Sequence, residues 1–395
     1  MMQQPPTNEA WDYCLVGGGL QASLLVLALR HHQPKARVLV LERRAQPSSS
    51  LALAGQTWSC QASDIPDDCR VWLSPLFLTT WPAYNVRFPK FQRRINIGYC
   101  SLRSWDLANT LQQVLASGGN NLQWRWGQEA ARIESGHVEL ESGEAVAARC
   151  VIDCRGQENH PPPTETGYQK FFGWEVELDS PWSLDVPTVM DVDGAQDDGF
   201  RFIYVLPFNR QRLLLQDTRF SDSAEVDPTE AASRLRAYLA QHGHANYKVV
   251  RQEHGLLPMP FASFSPEPRE PVLRAGYRGG WFHAATGYSL PLAIQYAAAV
   301  ARVPPDQARE VVSRLARKHR FRFRYARFLN RLLFRLLPPT SRTQVFYNFY
   351  RWLPESVIGR FYAHTFSRLD AIRLFLGRPP CPLSLGRFVK SFRSC

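Results

Sequence analysis

The sequence predicts an α/β protein with three parts: a Rossmann-like dinucleotide-binding domain, an antiparallel-sheet substrate domain inserted into it, and a C-terminal helical region. Three observations carry this. An apolar run, a glycine turn, a helical pattern, a second apolar run and an acid follow one another over residues 12–42. A second buried-strand pattern, Cys150-Val151-Ile152-Asp153-Cys154-Arg155-Gly156, brings the chain back to the same sheet. After it, aromatic-rich segments over residues 171–220 read as strands of another sheet. The 395 residues suffice for two or three interlocked subdomains. The reading assigns residues 1–60, 100–160 and 270–305 to the dinucleotide domain, 61–99 and 161–269 to the substrate domain, and 306–395 to a basic helical region.

In chain order, the glycine turn comes first. Gly17-x-Gly19-x-x-Ala22 is the dinucleotide fingerprint, with Ala allowed at its third place. Gly17 permits the tight turn after Val16, Gly18 extends it, and Gly19 lets the backbone approach a pyrophosphate. Ala22 is small enough for the helix to lie close to the strand, and the free N–H groups of the helix N-terminus face the phosphates. Glu42, 25 residues beyond Gly17, ends the second strand where an acid binds a ribose 2′-OH. The plain alternative is a βαβ turn without ligand.

Residues 51–105 are dense in Trp and Pro, which fits the wall of a cavity for a large apolar ligand and equally a packed core. Leu107, Leu111 and Leu115 predict an amphipathic helix over 104–117, and short strands follow over 122–147. Asp153 and Gly156 then end the returning strand; the acid serves the cofactor or is a turn acid. Strands are predicted at 174–178, 202–207 and 212–218, with a helix over 228–241. Asp191 and Asp217 adjoin apolar runs, where desolvation raises a carboxyl pKa and makes a proton donor. The competing reading is a solvated strand-end acid. Glu253 precedes Gly255-Leu256-Leu257-Pro258. Gly276 and the loop Thr286-Gly287-Tyr288, leading into a helix over 292–303, suit a second approach to a phosphate or a flavin ring. That second contact favours FAD over NAD.

Composition excludes disorder: 45% of residues are apolar and 21% charged. The first ten residues have no basic n-region or apolar h-region, so no signal peptide is expected. No stretch is apolar enough for a transmembrane helix. Eight cysteines without a C-x-x-C pair or a His cluster predict no metal site and no disulfide framework. Charge is lopsided. Residues 314–395 carry 18 Lys or Arg against two acids, and the rest carries 29 against 33. Arg327, Arg331 and Arg335 recur at helical spacing beside a Leu- and Phe-rich face, which suits an anionic membrane interface. Single-stranded nucleic acid is disfavoured because no RRM, OB or helix-turn-helix pattern accompanies the basic run. A solvated Arg face on a packed helix remains open.

Taken together, these segments resemble the bacterial lycopene β-cyclases nearly end to end. The carriers include Val16-Gly17-Gly18-Gly19-Leu20, Thr57-Trp58-Ser59, Val86-Arg87-Phe88-Pro89, Met190-Asp191, the 199–207 run, Leu213 to Thr218, Thr286-Gly287-Tyr288-Ser289-Leu290-Pro291 and Gly377-Arg378-Pro379-Pro380. The resemblance implies an FAD-bearing fold like that of aromatic hydroxylases, a flavin working in its reduced form, and NAD(P)H as reductant. The reaction it implies is an isomerisation of the intramolecular lyase class. A proton adds to the terminal C1=C2 bond of lycopene or a related acyclic carotenoid, the C5=C6 bond closes the ring, and a proton leaves C6. It further implies peripheral attachment to the cytoplasmic side of the inner membrane, near other carotenoid-synthesis enzymes. One position departs from the family. Two successive acids are usual where this chain has Gln216-Asp217, and the first is held essential. Asp217 remains, but strand alternation points it to the opposite face from Gln216; either Asp191 or Glu253 acts, or the reduced flavin supplies the proton, or the chain cyclises poorly. Gln56 also replaces a usual His.

Two other readings share the fold. A flavin monooxygenase or prenyl reductase would oxidise NADPH in step with product. A weakly active homologue would bind carotenoid without turning it over.

Overall fold

The computed structural model describes residues 10–46, 55–76, 79–156, 164–194, 196, 199–262, 266–268 and 270–375. Residues 1–9, the Gly377-Arg378-Pro379-Pro380 motif, Cys381 and Cys395 lie outside the described residues.

The chain opens with β1 (Trp11–Val16), α1 (Leu20–His32) and β2 (Val38–Glu42). Next come β3 (Thr57–Gln61), the short α2 (Arg70–Leu73), β4 (Thr79–Trp81), β5 (Tyr84–Phe88), β6 (Phe91–Ile95) and β7 (Tyr99–Arg103). Then follow α3 (Ser104–Ser117), β8 (Leu122–Trp126), β9 (Ala130–Ile133), β10 (His137–Leu140) and β11 (Ala145–Asp153). The middle of the chain holds β12 (Thr166–Leu178), β13 (Thr188–Asp191), β14 (Phe200–Pro207), β15 (Arg212–Ser221), α4 (Pro228–Gln241), β16 (Tyr247–Pro260) and β17 (Leu273–Arg274). It ends with α5 (Leu290–Ala301), α6 (Ala308–Arg331), a π turn at Leu332–Leu336, α7 (Arg342–Trp352), α8 (Glu355–Tyr362) and α9 (Arg368–Phe375).

The first sheet runs β8-β2-β1-β11-β10-β9, with β17 also on β11. The β8-β2-β1-β11 core and the β11–β17 pair are parallel. β1 and β2 are covered on both faces, which is why they read as unbroken apolar runs. α1 is buried from Gln21 to Leu29 and packs against α5, whose apolar residues join the same core. Helix formation begins at Leu20, directly on the turn, four residues before the apolar run 24–29.

The second sheet runs β16-β12-β15-β14-β13-β5-β6 and is antiparallel except between β13 and β5. Alternation splits its side chains. Ile203, Val205, Leu213 and Leu215 pack on Leu235, Tyr238 and Leu239 of α4. Phe202, Leu214 and Phe220 belong to a core shared with Leu333, Phe334, Tyr350, Val357, Ile358 and Phe366 from the C-terminal helices. A third, small sheet, β3-β7-β4, lies in the stretch the sequence presents only as Trp- and Pro-rich.

The C-terminal helices are therefore part of the core. Arg342 is fully buried; it donates to the carbonyls of Leu333 and Phe220 and to Asp222 of the second sheet's margin. Arg331 and Arg335 also anchor the region, donating to the carbonyls of Phe261 and Thr164. His283, His319 and His364 form a buried cluster tying the 283–288 loop to these helices, with Nδ1 of His319 and His364 3.1 Å apart. The six described cysteines are free and buried. Among the described residues no helix is long and apolar enough to cross a membrane, and no cluster could hold a metal ion.

Candidate active site

β1 delivers the chain to Gly17, whose φ of +101° only glycine adopts without strain. A Cβ there would lie 2.9 Å from the backbone of Arg155, so the turn also needs glycine for space. The Gly18 amide donates to Glu42 at 2.6 Å, and Arg44 donates to the same carboxylate through its amide and its side chain. Glu42 thus braces the turn from β2. Gly19 is the N-cap of α1; nothing lies within 4 Å of where its Cβ would be. No side chain caps this helix and its first turn holds no acid, so its positive end is open. Ala22 is buried under the helix, with Val16 beneath the turn.

A second helix end faces the same space. α5 starts after Ser289 with no side-chain cap and no acid in its first turn. Gly276, Thr286, Gly287 and Tyr288 line the space with Gly19, Arg155 and Gly156. Gln21 sits between the two helices. Its Nε2 donates to Ala293 O at 3.2 Å, and its buried Oε1 has no partner. Asp153 does not face the space. It accepts from Arg155 and from Arg278 and holds Arg155 at the wall.

The cavity continues from this cradle across the second sheet to the C-terminal helices, with a volume of about 1590 Å³. Pockets for one drug-sized ligand run to roughly 1,000 Å³, so this one has room for a dinucleotide and a second long molecule. Phe171, Phe202, Phe220, Leu257, Leu333 and Phe349 make its far part apolar.

One polar row crosses that apolar wall. Gly173, on central β12, is paired with Gln216 of β15 on one side and Glu253 of β16 on the other. Gly173 has no side chain, so those of its two neighbours meet over it: Gln216 Nε2 donates to Glu253 Oε1. Arg251 donates to Glu253 Oε2 at 2.7 Å and Thr57 does so at 3.1 Å. Glu253 is 4% exposed, and burial pushes its carboxyl above the usual range against the pull of Arg251, Gln216 and Thr57. Gln216 and Thr57 line the cavity directly. Tyr204 of β14 stands opposite Gln216 on its other flank.

Of the residues expected to carry proton chemistry, the structure puts Gln216 on the cavity wall with Glu253 buried against it and leaves the other two elsewhere. Asp217 points to the α4 side. There Arg201 grips it with Nε at 2.8 Å and Arg234 approaches to 3.5 Å. Asp191 accepts from Tyr238 of α4 at 2.8 Å and from Arg87. Strand alternation is the reason: one residue's shift reverses the face. Sequence reasoning missed Gly173, Thr57 and Arg251, because their roles come from pairing between strands far apart in the chain.

Residues 12–387 match the lycopene cyclase protein family. The lycopene β-cyclase of a Paracoccus species is 39% identical over 380 residues, covering 94% of this chain and 95% of the relative. The fold is shared with a geranylgeranyl bacteriochlorophyll reductase-like protein of Thermoplasma acidophilum (TM-score 0.64, 14% identity, 94% of this chain and 97% of that one). It is shared likewise with a flavin-dependent brominase (TM-score 0.62, 11% identity, 98% and 100%). A glycine turn beside a large apolar cavity, matched along nearly the whole chain by these sequences, makes this protein a member of the lycopene cyclase family.

Proposed function

We propose that this chain is a flavin-dependent lycopene β-cyclase, converting lycopene through γ-carotene to β-carotene in carotenoid biosynthesis without net redox change. The observation that carries the reading is a large, mainly apolar cavity that begins at the glycine turn, with Gln216 and Tyr204 on its wall and Glu253 buried against Gln216. A long hydrocarbon offers a protein nothing to hydrogen-bond, so polar groups on such a wall are there for chemistry.

FAD fits the cradle. Two uncapped helix N-termini, an open backbone at Gly19 and the partnerless Gln21 Oε1 are what a pyrophosphate and a flavin amide would engage. Gly17, Gly18, Gly19 and Glu42 would hold the adenosine and phosphates, and Gly156, Gly276 and the Thr286–Tyr288 loop the ring. In reduced form, with NAD(P)H as reductant, the flavin supplies electron density that favours a nearby carbocation.

The chain's own part is acid chemistry in a dry pocket. Glu253 is the acid of this reading: burial raises its hold on a proton, and Gln216, Thr57 and Arg251 fix its position. That proton adds to C2 of the terminal double bond and leaves a tertiary cation at C1. The C5=C6 bond attacks C1, the ring closes and C6 gives up its proton. Aromatic side chains exclude water and present electron-rich faces to the cation.

The substrate resides in a bilayer. Phe321, Phe328, Trp352, Leu369, Ile372 and Phe375 are exposed on α6, α7 and α9, and three of them also line the cavity. This supports peripheral docking on a membrane surface, with carotenoid passing directly from lipid to cavity.

Expression in a lycopene-accumulating bacterium tests the reading. Cyclic pigments are expected, and cells holding only lycopene would overturn it. Glu253→Gln should cut cyclisation by at least about a hundredfold. NADPH consumed in step with product would favour the monooxygenase or reductase reading instead.

A further inference from the structure

The row does not end at Tyr204. Its hydroxyl lies 2.9 Å from that of Tyr99, and Tyr99 lies 2.6 Å from the hydroxyl of Tyr288. In each contact either oxygen can be the donor. All three rings line the cavity. They come from three separate places: β14, β7 and the loop before α5. We propose that the hydroxyl chain Tyr288–Tyr99–Tyr204 accepts the proton lost in ring closure and thereby decides which double bond the new ring carries. This rests on the cyclase reading above.

The geometry argues for it in three ways. Tyr204 faces Gln216 directly across neighbouring strands, so their Cβ atoms are about 4.5–5.5 Å apart. Tyr204 and Gln216 thus stand side by side on the cavity face of the sheet, with Glu253 beyond Gln216 on β16. Burial pushes all three phenols upward, so they stay neutral. A neutral phenol oxygen is a sufficient base here, because a C–H bond next to a carbocation is a very strong acid. Last, a chain whose bonds can run either way passes a proton: one arriving at an oxygen releases another from the neighbour.

The balance is as follows. The C6–H bond breaks and its electron pair becomes the C5=C6 double bond. The proton joins a tyrosine oxygen, and a proton moves on along the chain. The displaced proton passes to water that enters when the product leaves, and Glu253 takes up a new proton from the same water, so the cycle closes. The same cation can instead lose a proton from C4, giving a ring with C4=C5, or be trapped by water. Only the position of the acceptor selects C6.

The test uses flavin-loaded full-length enzyme and lycopene in liposomes, with Tyr204→Phe, Tyr99→Phe and Tyr288→Phe compared by product analysis. Each variant keeps its ring, and flavin content, lycopene consumed and product composition are read separately. The ratio of C5=C6 rings to C4=C5 rings and tertiary alcohols should fall at least fivefold in Tyr204→Phe or Tyr288→Phe. An unchanged ratio in all three variants would overturn the proposal. So would variants that retain flavin but leave lycopene untouched, because initiation does not need the chain. Loss of flavin from all three would make the hydroxyls structural and overturn it as well. If the wild type makes no ring, it is the cyclase reading that fails.

Discussion

Gly173→Ala is the sharpest probe of the row. A Cβ at this position would sit 2.7 Å from Gln216 Cγ and 2.9 Å from the Leu215 carbonyl oxygen. Non-bonded carbons rest about 3.5–4.0 Å apart, so Gln216 must retreat by about 1 Å or β12 and β15 must part. Overpacking of this kind costs about 1–3 kcal/mol, which a fold stable by about 5–15 kcal/mol survives. The chemistry is less tolerant, since about 1 Å of misplacement can cost about a hundredfold in rate. The variant should keep its flavin, melt a few degrees lower and cyclise lycopene about a hundredfold more slowly. Flavin absorbance, a thermal melt and pigment analysis measure the three quantities. Wild-type turnover together with the lowered melt would show that Gly173 serves packing alone, and the Gln216–Glu253 contact would lose its functional meaning.

Gln216→Glu puts a second carboxyl against Glu253 over Gly173. Two such groups share a proton, and the upper apparent pKa of the pair rises. Activity that needs a protonated acid should then persist to higher pH by about one unit or more, read from the pH profile of cyclisation; an unmoved profile would refute this. Stability should also fall on acidification through the histidine cluster. Burial lowers His283 and His319 to about 4, with Arg322 and Lys318 acting further on His319. Their unfolded value is near 6.5, so their neutral packing stabilises fully above that pH and is lost as pH falls toward 4. Between pH 7 and 5 each contributes a loss of about 2 kcal/mol. A melting temperature flat over that interval would contradict it, and His319→Gln should flatten the curve. For the lipid surface, Trp352→Glu with Phe375→Glu should shift the protein from pellet to supernatant with anionic liposomes while its flavin content stays constant. Removing residues 314–395 could not test this, because Leu333, Phe334 and Tyr350 belong to the core.

What could be read from the chain alone depended on how local each cause is. The glycine turn is legible because the constraint at Gly17 and the brace at Glu42 lie within one βαβ unit. The helix over 228–241 is legible to the residue: Asp227 caps it, accepting from Thr229 and Glu230, and Pro228 starts it. The C-terminal region was legible as helix, but its share in the core was not. Arg331 and Arg335, read as one basic face, also tie the region to carbonyls of the 261 and 164 segments. Amphipathic periodicity tells which face is apolar, not what will cover it.

The active-site acid shows the same limit more acutely. Read along β15, Gln216 is the loss of a carboxyl, and alternation alone already turns Asp217 to the other face, where Arg201 pairs with it. The carboxyl beside Gln216 comes from β16, 37 residues away, and reaches its place because β12 between them has no side chain at Gly173. Three strands must be in register before any of this is visible. On the proposed reading, with Glu253 as the acid, the register also gives an amide at position 216 a part to play. A second acid there would compete with Glu253 for one proton, whereas the Gln216 amide binds that carboxyl without adding charge, and leaves the acid a single identity.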